Sequence, residues 1–66
     1  MSTIGKNIKK LREQKAISQD RLSKLADISL NTIAKLELDD NQNPTIDTLS
    51  KIAKALEVKV DDLIQK

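Results

Sequence analysis

Apolar residues return along most of this chain at the spacing of a helix. Ile4, Ile8 and Leu11 fall at i, i+4 and i+7, which predicts a first helix with one face toward a core. It runs from about Thr3 to Lys15, with Ser2 or Thr3 as its cap, and Lys6, Lys9, Lys10 and Glu13 mostly outward. Leu22, Leu25 and Ala26 form the inward stripe of a second helix over Gln19 to Ala26, and Ile33 and Leu36 that of a third over Leu30 to Leu38. Ile46, Leu49, Ile52, Ala53 and Leu56 repeat the pattern in a fourth helix. Val60, Leu63 and Ile64 close the chain in a short fifth, about Val60 to Gln65.

Polar residues punctuate the stripes where helices must begin and end. Ser18 and Ser29 stand at N-cap positions, where a hydroxyl can accept from the open N–H groups of the first turn. Each follows an isoleucine that is paired with an aliphatic five positions on, Ile17 with Leu22 and Ile28 with Ile33. That is the spacing of a hydrophobic staple. Ala26-Asp27-Ile28 leaves room for only a tight turn between helices two and three, as in a helix-turn-helix. Asp27 takes the position that wants a left-handed backbone. Ser23 is small where two helices approach. Pro44 stops the third helix from continuing. Thr45 caps the fourth, with Asp47 in its first turn.

Composition narrows the chemistry. The chain has 66 residues, enough for one small domain spanning 1–66. It has no Phe, Tyr, Trp, Cys or His and a single glycine. The core is therefore aliphatic, and disulfides, thiolate metal sites, histidine bases and glycine-rich phosphate loops are excluded. Asp39-x-Asn41-x-Asn43 imitates the start of a calcium loop, but Pro44 and Ser50 occupy its glycine and bidentate-glutamate positions. The adjacent carboxylates Asp39-Asp40 and Asp61-Asp62 cannot face each other on a helix. Neither a metal, a cofactor nor an enzyme activity is expected. No apolar run has membrane-spanning length, and the N-terminus lacks a secretory signal, so the expected compartment is the cytoplasm.

Charge is unevenly spread. Residues 1–25 carry a net +5 and residues 26–66 a net −3. A basic front and an acidic rear suit a chain that turns one side to a polyanion.

Gln19, Leu22, Ser23, Ala26, Ile28, Ser29, Thr32, Ile33, Leu36 and Glu37, followed by the Asn43-Pro44-Thr45 lead-in, resemble the Cro and lambda-repressor-like (Xre-like) helix-turn-helix family. The resemblance covers nearly the whole chain. It implies an all-α, compact five-helix fold with the helix-turn-helix at helices two and three. It also implies an ion pair between Arg12 and Glu37, phosphate contact by Gln19, and a two-fold dimer contact around Val60, Leu63 and Ile64, three residues whose alternative is to close the core of the monomer. Glu57 and Lys59 replace a usual glycine and a frequent serine cap, which implies a looser junction before the fifth helix. Asp39-Asp40 replaces a stretch that is often glycine and basic, so these carboxylates must point away from DNA or weaken its binding.

The residues themselves assign roles on such an interface. Asn31 and Lys35 share a face at i, i+4. An asparagine amide pairs bidentately with adenine, and a lysine reaches guanine O6 or N7. Leu30 either packs on a thymine methyl or completes the core. Short Ala34 lets the helix approach the groove floor. Ser29, Thr32 and Thr45 suit phosphate, while Asn41 and Asn43 are phosphate contacts or plain loop residues. The expected function is sequence-specific binding of double-stranded DNA by a homodimeric transcriptional regulator, repressor-like in action. The alternatives are a protein-interaction module, antitoxin-like, that binds a partner through Leu30, Leu38, Leu63 and Ile64, and the DNA-binding part of a larger regulator.

Overall fold

The computed structural model describes residues 3–38 and 43–65. Over these the chain forms α1 (Thr3–Gln14), α2 (Gln19–Ala26), α3 (Leu30–Leu38), α4 (Ile46–Leu56) and α5 (Val60–Ile64). These are the helices the apolar spacing predicts, with α1 and α5 each ending one residue earlier. Of the two expected caps of α1, Ser2 lies outside the described residues and Thr3 is the first residue of the helix. Asp39-Asp40 also lie outside the described residues. α3 packs on α1 and α2, α2 also packs on α4, and α5 packs on α1 and α4.

One aliphatic cluster holds the helices together. Ile8, Leu22, Ile33, Ile52, Leu56 and Leu63 are fully buried, and Ala26, Leu36, Leu49 and Ala53 nearly so. Ser23 is a buried polar residue of α2. Its hydroxyl donates to the Asp20 carbonyl at 2.6 Å, so a small polar group enters the core without an unmet hydrogen bond.

Three inward or outward expectations are corrected. Leu25 is 47% exposed. The short α2 presents only the Leu22–Ala26 row to the core, and Leu25 falls beside that row on a groove shared with Lys51, Lys54 and Ala55 of α4. Ile46 is 71% exposed, and the buried stripe of α4 begins about one turn later at Leu49. Leu63 is fully buried. It closes the core of its own chain and therefore cannot serve a dimer contact. Asn7 explains how α5 is held there: its amide donates to the Leu63 carbonyl at 2.9 Å and to the Gln65 carbonyl at 2.6 Å. Those carbonyls end a helix and have no partner within it.

Three helices end in the same way. Ala16, Asp27 and Glu57 adopt positive φ, near 56–60°. The next residue in each case is a partly buried aliphatic whose N–H reaches back into the helix. Ile17 bonds Arg12, Ile28 bonds Ser23 and Val58 bonds Ala53, all at 2.9–3.1 Å. This is the Schellman closure with its hydrophobic contact. At the α4–α5 junction the Asp62 carboxylate also accepts from the Lys59 N–H at 3.0 Å. The junction is thus hydrogen-bonded on both sides, contrary to the looseness expected there. Its remaining cost is the left-handed Glu57, which has φ 60° and ψ 41°. Glu57→Gly should stabilise the domain by about 1 kcal/mol, read as a rise in melting temperature. No rise would mean that the left-handed backbone carries no cost here.

Candidate nucleic-acid interface

The α2–turn–α3 unit is set by its caps. The Ser18 hydroxyl accepts from the Arg21 N–H at 3.0 Å, and the Ser29 hydroxyl accepts from the Thr32 N–H at 3.1 Å. Between them Asp27 takes φ 56° and ψ 46°, the left-handed geometry that reverses the chain. Ile33 and Leu36 seat α3 in the core. Asn31 and Lys35 then project on its outward side, both exposed. Leu30 is 45% exposed, so it does not complete the core. Ala34 is half-buried between them and the domain.

A clamp pins the far end of α3. Glu37, with only 4% of its side chain exposed, receives Arg12 Nε on one carboxylate oxygen at 2.9 Å and Arg12 Nη2 on the other at 3.0 Å. Arg12 Nη1 donates to the Ile17 carbonyl at 2.9 Å. Gln19 Nε2 adds a third bond to Glu37 at 3.1 Å. One carboxylate thereby ties α1, the α1–α2 turn, the start of α2 and the end of α3. The hydrogen bonds that the Arg12 guanidinium donates to Glu37 hold its pKa above its ordinary value, against the lowering effect of burial. Arg12 therefore stays charged at every accessible pH. The clamp also removes a bare carboxylate from beside the outward face of α3, where it would repel phosphate. The ion pairs Lys24–Asp20 and Lys51–Asp47, by contrast, lie on the surface and contribute little.

The residues expected to hold the DNA backbone differ in how free they are. Gln19 spends part of its side-chain amide on Glu37. That narrows its expected phosphate role to its remaining N–H groups. Ser29 and Thr32 share a hydroxyl–hydroxyl bond at 2.8 Å. Whichever donates, the other keeps a proton for an outside acceptor. Thr45 accepts from the Thr48 N–H and donates to the Thr48 hydroxyl, both at 3.1 Å. The free proton therefore sits on Thr48, a residue that sequence reading passed over. The cap spacing Thr45-x-x-Thr48 is the signal that could have found it. Asn43 is exposed just before α4, and Asn41 lies outside the described residues. Of the residues expected at a dimer contact, Ile64 is 47% exposed and Val60 is half-buried.

Among the described residues no group of Asp or Glu could hold a metal ion, and no helix is long and apolar enough to cross a membrane.

Comparison with known proteins agrees with this geometry. A helix-turn-helix family model matches residues 8–63. The chain is 32% identical over 62 residues to the immunity repressor protein of Bacillus phage phi105, covering 94% of this chain and 42% of that protein. It is 30% identical over 63 residues to the HTH-type transcriptional regulator SinR of Bacillus subtilis (strain 168), covering 96% and 57% respectively. The chain spans about half the length of the curated relatives it matches. Its fold superimposes with a TM-score of 0.85 on the restriction-modification controller protein C.AhdI from Aeromonas hydrophila. That likeness covers 92% of this chain and 91% of the other at 24% identity, and bears on fold alone.

Proposed function

This chain belongs to the helix-turn-helix family, and from that premise we propose that it is a sequence-specific DNA-binding transcriptional regulator, repressor-like in action. α3 lies in the major groove, and Asn31 and Lys35 read base edges, with Leu30 and Ala34 against the groove floor. Ser29, Thr32, Gln19 and the Asn43–Thr48 stretch face the phosphates. The carrying observation is that Asn31 and Lys35 are exposed at i, i+4 on a helix held at both ends, by the Ser29 cap and the Glu37 clamp. Base readout needs side chains that project freely from a fixed backbone. The names of the relatives, an immunity repressor and a transcriptional regulator, point the same way.

The regulator is a homodimer in this reading, with Val60 and Ile64 at the two-fold contact and half-sites about one helical turn apart. Sedimentation with and without operator DNA tests it, and a clean monomer in both would remove the dimer.

Selection of bound sites from a randomised duplex pool tests the main proposal. A symmetric consensus is expected. Asn31→Ala should then relax the preference at one base pair of each half-site, by about 1–3 kcal/mol. A pool that returns no preferred sequence would sink the regulator reading. It would turn attention to protein binding through Leu30, Leu38 and Ile64, of which Leu38 is 87% exposed.

A further inference from the structure

Helix α1 carries neighbouring lysines to two different sides of the domain. Lys9 lies on the rim of a groove of about 390 Å³ shared with Arg12 of the same helix, Gln19 of α2, and Ala34, Glu37 and Leu38 of α3. Lys10 lines another groove, between α1 and α5, with Asn7, Gln14, Val58 and Asp62.

The two grooves differ in charge. In the first, Glu37 is neutralised by Arg12, so the Lys9 ammonium is surplus. Lys9 has no ion-pair partner among the described residues. In the second, Lys10 shares its groove with the Asp62 carboxylate, which offsets part of the positive potential there. The first groove also borders the edge of α3 formed by Ala34 and Leu38, one step round the helix from Asn31 and Lys35. Its α3 wall is otherwise apolar, with no free carboxylate to compete for the ammonium. A cation that makes no ion pair, beside a face with no bare carboxylate of its own, fits a polyanion running past it.

We propose that Lys9 is a DNA-backbone contact, its ammonium on a phosphate flanking the bases faced by α3, and that α1 is thereby part of the interface. The inference rests on the duplex-DNA reading above. Lysine serves as a flexible point charge on phosphate. It adds affinity to every sequence and selects none.

The test compares Lys9→Ala, Lys9→Gln and Lys10→Ala with the unmodified chain across a salt series. The probes are the selected duplex and a random-sequence duplex. Each variant removes one positive charge, so only position distinguishes them. Thermal melts confirm that each is folded, which is expected of exposed lysines. Both Lys9 variants should lower the slope of log K against log salt by about one. The deficit of either variant against the unmodified chain should then shrink by about 3.5-fold between 50 and 200 mM salt. Lys10→Ala should leave the slope unchanged. Equal slopes for the Lys9 and Lys10 variants would overturn the proposal, since the effect would then be diffuse net charge. If the unmodified chain binds both duplexes alike while the Lys9 slope still falls, the backbone contact stands and the sequence-specific reading fails. If it binds neither duplex, both fail.

Discussion

Glu37→Ala should destabilise the domain by about 3–5 kcal/mol, a large share of its total stability. The substitution strands the Arg12 guanidinium, 12% exposed, without its carboxylate and frees the Gln19 amide bonded to it. Removing one partner of a buried, hydrogen-bonded pair costs about 3–5 kcal/mol. A domain of this size has only about 3–10 kcal/mol in all. Urea titration followed by circular dichroism reads the loss. The cost comes from the stranded charge rather than from the pair's net attraction. Arg12→Met with Glu37→Leu together should therefore recover most of the stability, because apolar replacements of similar volume need no desolvated partner. A cost for Glu37→Ala below about 1 kcal/mol would mean the pair behaves as an ordinary surface bridge. The clamp on α3 would then be lost as an explanation of its fixed position.

Gly5→Ala should destabilise the domain, against the rule for helices. Exchanging a glycine within a helix for alanine ordinarily stabilises, by up to about 1 kcal/mol in the interior and less in the first turn, where Gly5 lies. Here a Cβ on Gly5 would overlap the Leu36 carbonyl oxygen and come within 3.2 Å of its carbon and 3.3 Å of Glu37 Cα. All three are backbone atoms of α3, which cannot rotate aside as a side chain could. α1 must therefore move away from α3, and overpacking of this kind costs about 1–3 kcal/mol or more. The seam also carries the Arg12–Glu37 clamp, so the separation should lengthen that pair. A thermal melt gives the sign. An unchanged or higher melting temperature would show that the two helices can part without loss. Gly5 does not need glycine's backbone freedom, since it lies within α1 and lacks a positive φ. What it supplies is the absence of a Cβ where two helices touch backbone to backbone.

The five helices to within a residue at their ends, three of their caps and the turn at Asp27 were legible in the chain, because each is decided within about one helical turn of sequence. Ser18, Ser29 and Thr45 cap through their own hydroxyls, and Asp27 reverses the chain by its own tolerance of positive φ. The outward pairing of Asn31 with Lys35 follows from helical periodicity alone. Periodicity could not say how wide a stripe each helix would bury. That depends on how many neighbours pack round it, so Leu25 and Ile46 read as core and are exposed. Leu63 read as either dimer contact or core, and it is core, in an α5 held on α1 by Asn7, 56 positions away in the chain. Separation in sequence likewise hid the reason for Gly5 and the engagement of Gln19. It also hid the parting of Lys9 from Lys10 onto opposite grooves. Local rules determined which helices form and which residues begin and end them. Only the packing of helices distant in sequence decided which of their atoms remain free to meet another molecule.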